Sequence, residues 1–578
     1  MTERITPSMI SRSRSLSEPR WSPSGTHLSW IDSFDGRSDL VVAPSDGSGP
    51  AMVVSADAGV GGGYCWASDH ELVLGAADGR LVVVNAAGGL ERTLSRDGRA
   101  FGPALSVRGE IACSIERDDA CDVVTVPLDG SEWPQRVSHA DYAWDPAWSP
   151  DGRELAWHEW TLPDMPWDAS RIVARDENGK TRVVADAPAC GQPRYSSTGN
   201  LAYVREAAIW VDDAPLLDER YEHAEPSWGP GQRSFAWSPD GTELAWSRNE
   251  DGFGRLVVGA PGRKSARELS RGWHRGIAWG EHGILCVRSG AVTPPQVIVL
   301  APNGSARRAV ARGPVAGFER TTLVEPRAVT WKANGATVHG LLWRPTEPRG
   351  LKPPLLVSVH GGPTGQALAD WNARVQYFLQ RGWAVLQPNY QGSTGYGTAY
   401  RQALDGRWGV RDTDDVAAGI RHALKEGWGA PGQVVVMGGS AGGLTVLNVA
   451  AQHPEIVAAV IALFPVTDLL ELDATTHRFE SGYNARMVGP LPDAREAYIA
   501  NSAVTHASNI RAPVLLLHGS NDKSVVPSQS ESVEAILRRT GTPVERHVYD
   551  GEGHGWRRAS TIDDEITRID DFLTRHIG

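Results

Sequence analysis

The stretch VVVMGGSAGGLTVL, residues 434–447, places one serine among four glycines, between an apolar run and a segment with helical spacing. The apolar run predicts a buried strand and the later segment predicts a helix, so Gly438-Gly439-Ser440-Ala441-Gly442 matches the pattern G-x-S-x-G at a strand-to-helix turn. Such a turn strains the backbone of its serine, and the small neighbours leave the room that this requires. The stretch therefore predicts a nucleophile elbow centred on Ser440.

The chain around this elbow alternates strands and helices from about residue 321 to the C-terminus. Residues 333–345 predict a hairpin, and the apolar runs at 354–363, 382–393, 512–522 and 543–555 predict further strands. Helical spacing covers residues 411–427 and 527–541. Because continuous apolar strands that alternate with amphipathic helices form a mostly parallel, covered sheet, residues 321–578 predict an α/β-hydrolase domain.

The N-terminal part of the chain repeats a different unit. WSPSGTHLSW from Trp21, WSPDGRELAW from Trp148 and WSPDGTELAW from Trp237 are nearly the same sequence, and looser copies begin at Trp66, Leu105, Tyr195 and Trp279. Successive copies start 39 to 47 residues apart. The three close copies combine an aromatic strand end, a Ser-Pro-Asp-Gly or Ser-Pro-Ser-Gly turn and an alternating strand. With the looser copies, this predicts a β-propeller of about seven blades over residues 1–320, with the tryptophans in the blade cores.

A serine hydroxyl becomes a nucleophile only beside a base that a third group holds in place. In a sheet with this elbow, the acid follows a later strand and the histidine follows the last one. VLLLHGSND ends in Asp522, and VERHVYDGEGHGW places His554 in a glycine-rich loop, so the sequence predicts Ser440, Asp522 and His554 as a catalytic triad. The competing carboxylates are Asp468 and Asp550, and the competing histidines are His360 and His518, which lie at strand ends before glycine and for which a packing role is favoured.

A tetrahedral intermediate on Ser440 would need two hydrogen-bond donors for its oxyanion. The N–H group of Ala441, directly after the nucleophile, is the first candidate. The second should come from an earlier strand-to-loop turn, and VHGGPTG, residues 359–365, suits this role, with the Gly362 N–H as the preferred donor.

Composition excludes several other classes of protein. The 578 residues carry a net charge of −12 without a long basic run, so no nucleic-acid partner is expected. No run of 18 apolar residues and no secretory apolar segment occur, and the five cysteines form no C-x-x-C pair. We therefore expect a cytoplasmic protein without a membrane span, metal or cofactor; a homo-oligomer remains open.

Together these motifs resemble the prolyl oligopeptidase family of serine peptidases, and most nearly its acylaminoacyl-peptidase and dipeptidyl-peptidase-like branch. The resemblance is carried by HGGP (360–363), PNYQGSTGYG (388–397), WGVRDTDD (408–415), GGSAGG (438–443), HGSNDKSVVP (518–527) and GEGHGW (551–556), with THRFESGY (476–483) similar to a segment of bacterial members. It extends over the whole chain, since this family also carries an N-terminal propeller.

The resemblance implies the same triad and oxyanion donors, and it adds Tyr396 as a second oxyanion candidate. Some exopeptidases of the family place an arginine two residues after the catalytic aspartate, where this chain has Ser524. No clear Glu-Glu pair for a substrate N-terminus is found in the propeller sequence. The implied activity is hydrolysis of short peptides or acyl-peptides through an acyl-enzyme, with acylaminoacyl, dipeptidyl and oligopeptide modes open.

Two other functions remain compatible with the motifs. An esterase, thioesterase or other acyl-transfer hydrolase could use the same triad, because the elbow does not distinguish an amide from an ester. The propeller could also be a binding module attached to an inactive hydrolase domain, although the complete set of triad positions speaks against this.

Overall fold

The tryptophan repeats form the ends of strands in small antiparallel sheets. Every repeat start, from Trp21 to Trp279, lies at or next to the last residue of a strand that begins a set of four. The turn after Trp148 has the expected chemistry, since Gly152 adopts φ 67° and its N–H donates to the Ser149 carbonyl at 2.9 Å. Trp157 and Trp246 are 1% exposed, as expected for blade cores.

The computed structural model describes residues 3–56, 58–59, 62–89, 91–313 and 317–578. The chain divides into two compact units, Arg14–Gly313 and a second unit that combines Met1–Ser13 with Pro314–Gly578. This division differs from the sequence-based one, which placed residues 1–320 together. The physical reason lies in the N-terminal segment, where Ile5 is fully buried and its N–H donates to Gln380 Oε1 at 2.6 Å.

The first unit is a propeller-like arrangement of small sheets. Its strands are β1 Ser15–Trp21, β2 His27–Phe34, β3 Arg37–Pro44, β4 Met52–Ser55, β5 Tyr64–Trp66, β6 Glu71–Gly75, β7 Leu81–Asn85, β8 Glu91–Ser95, β9 Arg99–Leu105, β10 Glu110–Glu116, β11 Cys121–Pro127, β12 Gln135–Arg136, β13 Tyr142–Trp148, β14 Glu154–Trp160, β15 Ser170–Asp176, β16 Thr181–Ala187, β17 Gly191–Tyr195, β18 Leu201–Arg205, β19 Ala208–Val211, β20 Ala214–Pro215, β21 Phe235–Trp237, β22 Leu244–Glu250, β23 Phe253–Gly259, β24 Arg267–Arg271, β25 Trp273–Gly280, β26 Gly283–Gly290, β27 Thr293–Leu300 and β28 Arg307–Arg312.

The expected count of about seven separate blades is wrong for the described part of the chain. Five four-stranded sheets stand alone, and strands β9 to β16 join into one eight-stranded sheet. The join is a single parallel pair between Cys121 and Tyr142, reinforced by the Cys121 N–H that donates to the Asp141 carbonyl at 3.0 Å. The repeat of four strands is therefore present throughout, and hydrogen bonding between β11 and β13 joins the sets β9–β12 and β13–β16 into one sheet.

The second unit is built on one eight-stranded sheet with the order β29-β30-β32-β31-β33-β34-β35-β36. Its elements are α1 Pro7–Ser11, β29 Arg327–Ala333, β30 Ala336–Trp343, β31 Leu355–Val359, α2 Ala373–Leu379, β32 Ala384–Asn389, α3 Thr398–Gln402, α4 Arg411–Lys425, β33 Val434–Gly439, α5 Ala441–Gln452, β34 Ala459–Leu463, α6 Leu469–Thr475, α7 Tyr483–Met487, α8 Arg495–Asn501, α9 Ala503–His506, β35 Val514–Gly519, α10 Ser528–Thr540, β36 Val544–Tyr549 and α11 Ala559–His576.

The sheet confirms the predicted alternation of strands and helices. Strands β29 and β30 form the expected hairpin, and the strands from β31 to β36 pair in parallel. Val434, Val435 and Val436 are fully buried, because a parallel strand is covered on both faces. Among the described residues, no helix combines the length and apolar character that crossing a bilayer would require.

Candidate active site

Ser440 occupies the sharp turn between β33 and α5. Its φ of 55° and ψ of −125° are rare for a residue with a side chain. Two main-chain hydrogen bonds hold this geometry: Ser440 N–H donates to the Leu463 carbonyl at 3.0 Å, and Val466 N–H donates to the Ser440 carbonyl at 3.2 Å. The predicted elbow is therefore present, with the serine side chain partly exposed at the carboxyl end of the sheet.

Glycines around the elbow permit an unusually close approach of the main chain. A Cβ atom at Gly442 would lie 2.5 Å from the Val359 carbonyl oxygen, so α5 packs directly on the end of β31. A Cβ atom at Gly361 would lie 3.3 Å from Ser440 Cβ. The turn after β31 is thus held against the nucleophile, as an oxyanion-binding turn must be.

Asp522 and His554 meet at the carboxyl ends of β35 and β36. His554 Nδ1–H donates to Asp522 Oδ2 at 2.7 Å, and the other carboxylate oxygen accepts from the N–H groups of Ser524 and Val525, both at 2.9 Å. Burial acts to raise the pKa of Asp522, but hydrogen bonds from His518, His554 and Val525 outweigh it and hold that pKa well below its usual range. The carboxylate is therefore ionised and orients the imidazole.

One aromatic side chain, Phe464, lies next to both the ring of His554 and the elbow. The His554 ring packs on Phe464 with a centroid distance of 4.6 Å, and a Cβ atom at Gly439 would lie 3.0 Å from Phe464 Cε2. Among the described residues, the structure thus joins His554 to Asp522 and gives the Ser440 hydroxyl no hydrogen bond to a protein group.

Glu552 is a buried residue of the His554 loop whose structural contacts sequence reasoning missed. It is 2% exposed, and its two carboxylate oxygens accept from the N–H groups of Arg557 and Arg558, each at 3.0 Å. Its carbonyl accepts from Asn521 N–H at 2.9 Å, which ties the His554 loop to the Asp522 loop. The sequence GEGHGW does not reveal this burial, because a glutamate between two glycines is equally typical of an exposed loop.

The two main-chain oxyanion candidates lie near each other. A Cβ atom at Gly361 would lie 3.8 Å from the Ala441 nitrogen, and Gly362 follows in the same turn with φ 122°. Tyr396 has other partners, because its hydroxyl accepts from Asn389 Nδ2 at 2.8 Å and its ring stacks on His339 with a centroid distance of 4.1 Å. A hydroxyl that accepts a hydrogen bond keeps its own O–H to donate, so Gly362, Ala441 and Tyr396 all stay candidate oxyanion donors.

The competing carboxylates have structural partners. Asp468 caps α6, since its Oδ1 accepts from the N–H groups of Leu470 at 2.9 Å and Glu471 at 3.2 Å. Asp550 is exposed and accepts from Ser520 Oγ at 3.3 Å. Neither contact involves an imidazole.

The competing histidines pack inside the domain. His360 stacks on Tyr390 with a centroid distance of 4.5 Å, and burial lowers its pKa to about 4. His518 is fully buried, and its Nε2 lies 2.9 Å from the Val525 carbonyl oxygen and 3.6 Å from Asp522 Oδ2. It therefore supports the loop that carries Asp522.

A buried carboxyl group behind the elbow gives a pH-dependent prediction. Burial raises the pKa of Asp415 on α4 to about 7, although Gln391 N–H donates to it at 2.8 Å. The unfolded value is about 3.9, so the folded protein binds more protons between about pH 4 and pH 7. This group therefore stabilises the fold most below about pH 4, and its contribution is lost as the pH rises through about 7. Between about pH 5 and pH 8, the unfolding free energy of Asp415→Asn, measured by urea titration, should therefore fall less than that of the wild type.

The neighbouring Asp414 offers a matched control, because it lies on a more accessible position of the same helix. Asp414→Asn should keep the wild-type pH dependence of the unfolding free energy. The same pH dependence in Asp415→Asn as in the wild type would contradict the assignment.

Comparison with known proteins finds a family match in the C-terminal part of the chain. Residues 369–578 match the prolyl oligopeptidase family. Dipeptidyl aminopeptidase BIII of Pseudoxanthomonas mexicana is 29% identical over 230 residues, which are 39% of this chain and 33% of that relative. The acylamino-acid-releasing enzyme of Sus scrofa is 27% identical over 252 residues, 42% of this chain and 34% of the relative. The chain thus spans about one third of the length of these curated relatives.

Solved structures resemble the chain over nearly its full length. A puromycin-hydrolyzing peptidase of Mycobacterium tuberculosis has a TM-score of 0.91 at 27% identity and covers 99% of this chain and 96% of its own. A puromycin hydrolase has a TM-score of 0.88 at 28% identity, and the match covers 98% of this chain and 95% of the hydrolase. The C-terminal residues 369–578 therefore match the prolyl oligopeptidase family, and the chain shares its fold with these puromycin-hydrolyzing proteins.

Proposed function

We propose that the protein is a serine peptidase that hydrolyses short peptides through an acyl-enzyme, with Ser440, Asp522 and His554 as its triad. The observation that carries this proposal is the 2.7 Å hydrogen bond between His554 Nδ1 and Asp522 Oδ2 beside the strained turn at Ser440. A carboxylate that orients an imidazole next to an elbow serine is the arrangement that acyl-transfer chemistry needs.

The proposed reaction proceeds in two stages. His554 Nε2 takes the proton of the Ser440 hydroxyl as the oxygen attacks the substrate carbonyl, and Asp522 stabilises the resulting imidazolium. The N–H groups of Ala441 and Gly362 donate to the oxyanion. When the amide bond breaks, His554 returns the proton to the leaving amine, and water then hydrolyses the ester on Ser440.

The names of the similar proteins favour an amide substrate over a simple ester. They include dipeptidyl aminopeptidase, acylamino-acid-releasing enzyme and two puromycin hydrolases, all of which are named for splitting amides or releasing amino acids. Puromycin itself contains an amide bond to an amino acid. We therefore propose short peptides and aminoacyl amides as the substrate class, and the exo- or endo-mode depends on groups outside the triad.

A comparison of leaving groups tests this proposal. With the full-length protein, we expect turnover of acyl-peptide or dipeptide para-nitroanilides and of puromycin, together with labelling of Ser440 by a fluorophosphonate. Turnover of para-nitrophenyl esters without any amide hydrolysis would favour the esterase alternative. A protein that hydrolyses neither and takes up no label would contradict the proposal.

A cytoplasmic location is part of the proposal. All five cysteines are free thiols, and four of them are buried. Proteins without disulfides suit a reducing compartment. Fractionation of the native host would test this location.

A further inference from the structure

Four strands of the unit Arg14–Gly313 share an unusual bulge. At each bulge, one residue with positive φ interrupts the register of the first strand pair and a proline follows it: Glu18 (φ 54°) in β1, Gly102 (φ 61°) in β9, Asp145 (φ 55°) in β13 and Gln192 (φ 54°) in β17. A bulge of this kind redirects the side chains that follow it. Because the same bulge recurs, the side chains that follow it should point in equivalent directions relative to their own sheets.

The three bulges with polar side chains are anchored to main-chain N–H groups of segments that precede other strands. Glu18 Oε2 accepts from Gly63 N–H at 2.7 Å, Asp145 Oδ1 accepts from Gly231 N–H at 2.7 Å, and Gln192 Oε1 accepts from Ser234 N–H at 2.8 Å. The segments that they reach also meet, since a Cβ atom at Gly62 would lie 2.7 Å from Gly231 Cα. The bulges therefore converge on one small region inside this unit.

Three arginines enter the same region, and we call Arg20, Arg194 and Arg233 the inner arginine cluster. Arg20 is 6% exposed, and its Nε is buried without a hydrogen-bond partner among the described residues. Arg194 donates to the carbonyl oxygens of Pro193 at 2.6 Å and Gln232 at 3.3 Å. Arg194 and Arg233 keep some accessible surface, so a ligand from solvent can reach them.

The charges of this region do not balance. The cluster carries three guanidinium groups, and the carboxylates that face it are Glu18, 3.9 Å from Arg20 Nη2, and the buried Asp145. In the described part of the chain, the Arg233 guanidinium has neither an ion pair nor a hydrogen-bond acceptor. Burial, followed by repulsion from Arg20 and Arg194, lowers the pKa of Arg233 well below its usual value. Such crowding of cations is costly unless an anion neutralises it.

We propose that the inner arginine cluster binds an oxyanion, with carboxylate or phosphate oxygens accepting hydrogen bonds from Arg233 and its two neighbours. A planar guanidinium matches two oxygens of such an anion, and a bound negative charge restores the charge balance. The anion can come from the free C-terminal carboxylate of a short peptide or from free phosphate. The peptide source rests on the proposed function, whereas the anion site does not.

Calorimetry on the full-length Ser440→Ala protein tests the site without turnover. The probes are N-acetyl-dialanine as the free acid, the same peptide as its C-terminal amide, and inorganic phosphate. We expect Arg233→Gln to weaken binding of the free acid, of phosphate or of both by about tenfold or more, because a charge-assisted pair of hydrogen bonds is lost. Arg263→Gln is the matched control in the same unit, since Arg263 is exposed, and it should bind as the parent does.

Each outcome bears on the proposal. Tighter binding of the acid than of the amide, lost in Arg233→Gln, supports a site for a peptide carboxylate, whereas the same loss seen with phosphate alone supports a site for a free anion. Absence of binding by all anions, or equal binding in Arg233→Gln and the parent, overturns the site. Arg233→Lys, which keeps the charge but not the planar fork, should weaken binding less than Arg233→Gln and serves if the glutamine variant does not fold.

This test is independent of the peptidase proposal. Anion binding without any amide hydrolysis by the wild-type protein would leave the arginine site standing and remove the peptidase function. Amide hydrolysis without anion binding would support the peptidase function and overturn the arginine site.

Discussion

Replacing Ser440 by alanine is expected to lower kcat for amide substrates by about 10⁴-fold to 10⁶-fold while the fold persists. The alanine keeps the turn but removes the oxygen that attacks the carbonyl, so the acyl-enzyme cannot form. The residual rate would come from the oxyanion donors and substrate binding alone. Steady-state kinetics with a peptide para-nitroanilide would measure the change, and the fluorophosphonate label should disappear.

Ser508→Ala is a suitable control, because Ser508 is an exposed serine of the same domain. It should retain wild-type kinetics and labelling. Thermal unfolding of both variants would verify that the domain remains folded. If Ser440→Ala turned over amides at the wild-type rate, another nucleophile would have to be responsible and the triad assignment would be wrong.

Much of the C-terminal fold could be predicted from the sequence, because local patterns there agree with the tertiary structure. The buried strand VVVM, the glycines at 438–443 and the helix after Ser440 each specify the same turn. The order of Ser440, Asp522 and His554 follows from which strands end beside one another in a parallel sheet. Asp522 and His554 meet because β35 and β36 are neighbours in that sheet.

Other features depend on contacts between residues far apart in sequence, and no local pattern encodes them. The segment 3–13 joins the hydrolase unit because Ile5 finds a buried position and a hydrogen bond from its N–H to Gln380, 375 residues away. The two strand sets that merge do so through one pair, Cys121 and Tyr142. Glu552 acts through loop N–H groups whose positions are set only after β35 and β36 have paired.

The position of Tyr396 depends on contacts that the sequence does not show. The resemblance implies its hydroxyl as an oxyanion donor, and here that hydroxyl accepts a hydrogen bond from Asn389. Asn389 is fully buried, and it also exchanges hydrogen bonds with the main chain of Ala367 at 2.7 and 3.1 Å. Asn389 therefore holds the Tyr396 oxygen in place while the Tyr396 O–H is still able to donate, so its role as an oxyanion donor stays a prediction.

Asp522→Asn is expected to reduce kcat/KM for amides by about 10³-fold to 10⁴-fold. The asparagine oxygen can still accept from the Val525 N–H, as Asp522 Oδ1 does at 2.9 Å, which leaves the amide NH₂ facing His554 Nδ1. That NH₂ donates to Nδ1 and places the imidazole proton on Nε2, where the ring cannot accept the proton of the Ser440 hydroxyl. Kinetics across a range of pH would measure the loss.

Asp550→Asn is the matched control, since Asp550 is an exposed aspartate after the neighbouring strand that the sequence also offered as the acid. Its replacement should leave kcat/KM within a small factor of the wild type, because its contact is to Ser520 and not to an imidazole. The two variants together separate the candidates: a large loss in Asp550→Asn with little change in Asp522→Asn would transfer the role of the acid to residue 550. A large loss in Asp522→Asn alone would establish that His554 is oriented by the carboxylate that the structure places 2.7 Å from it.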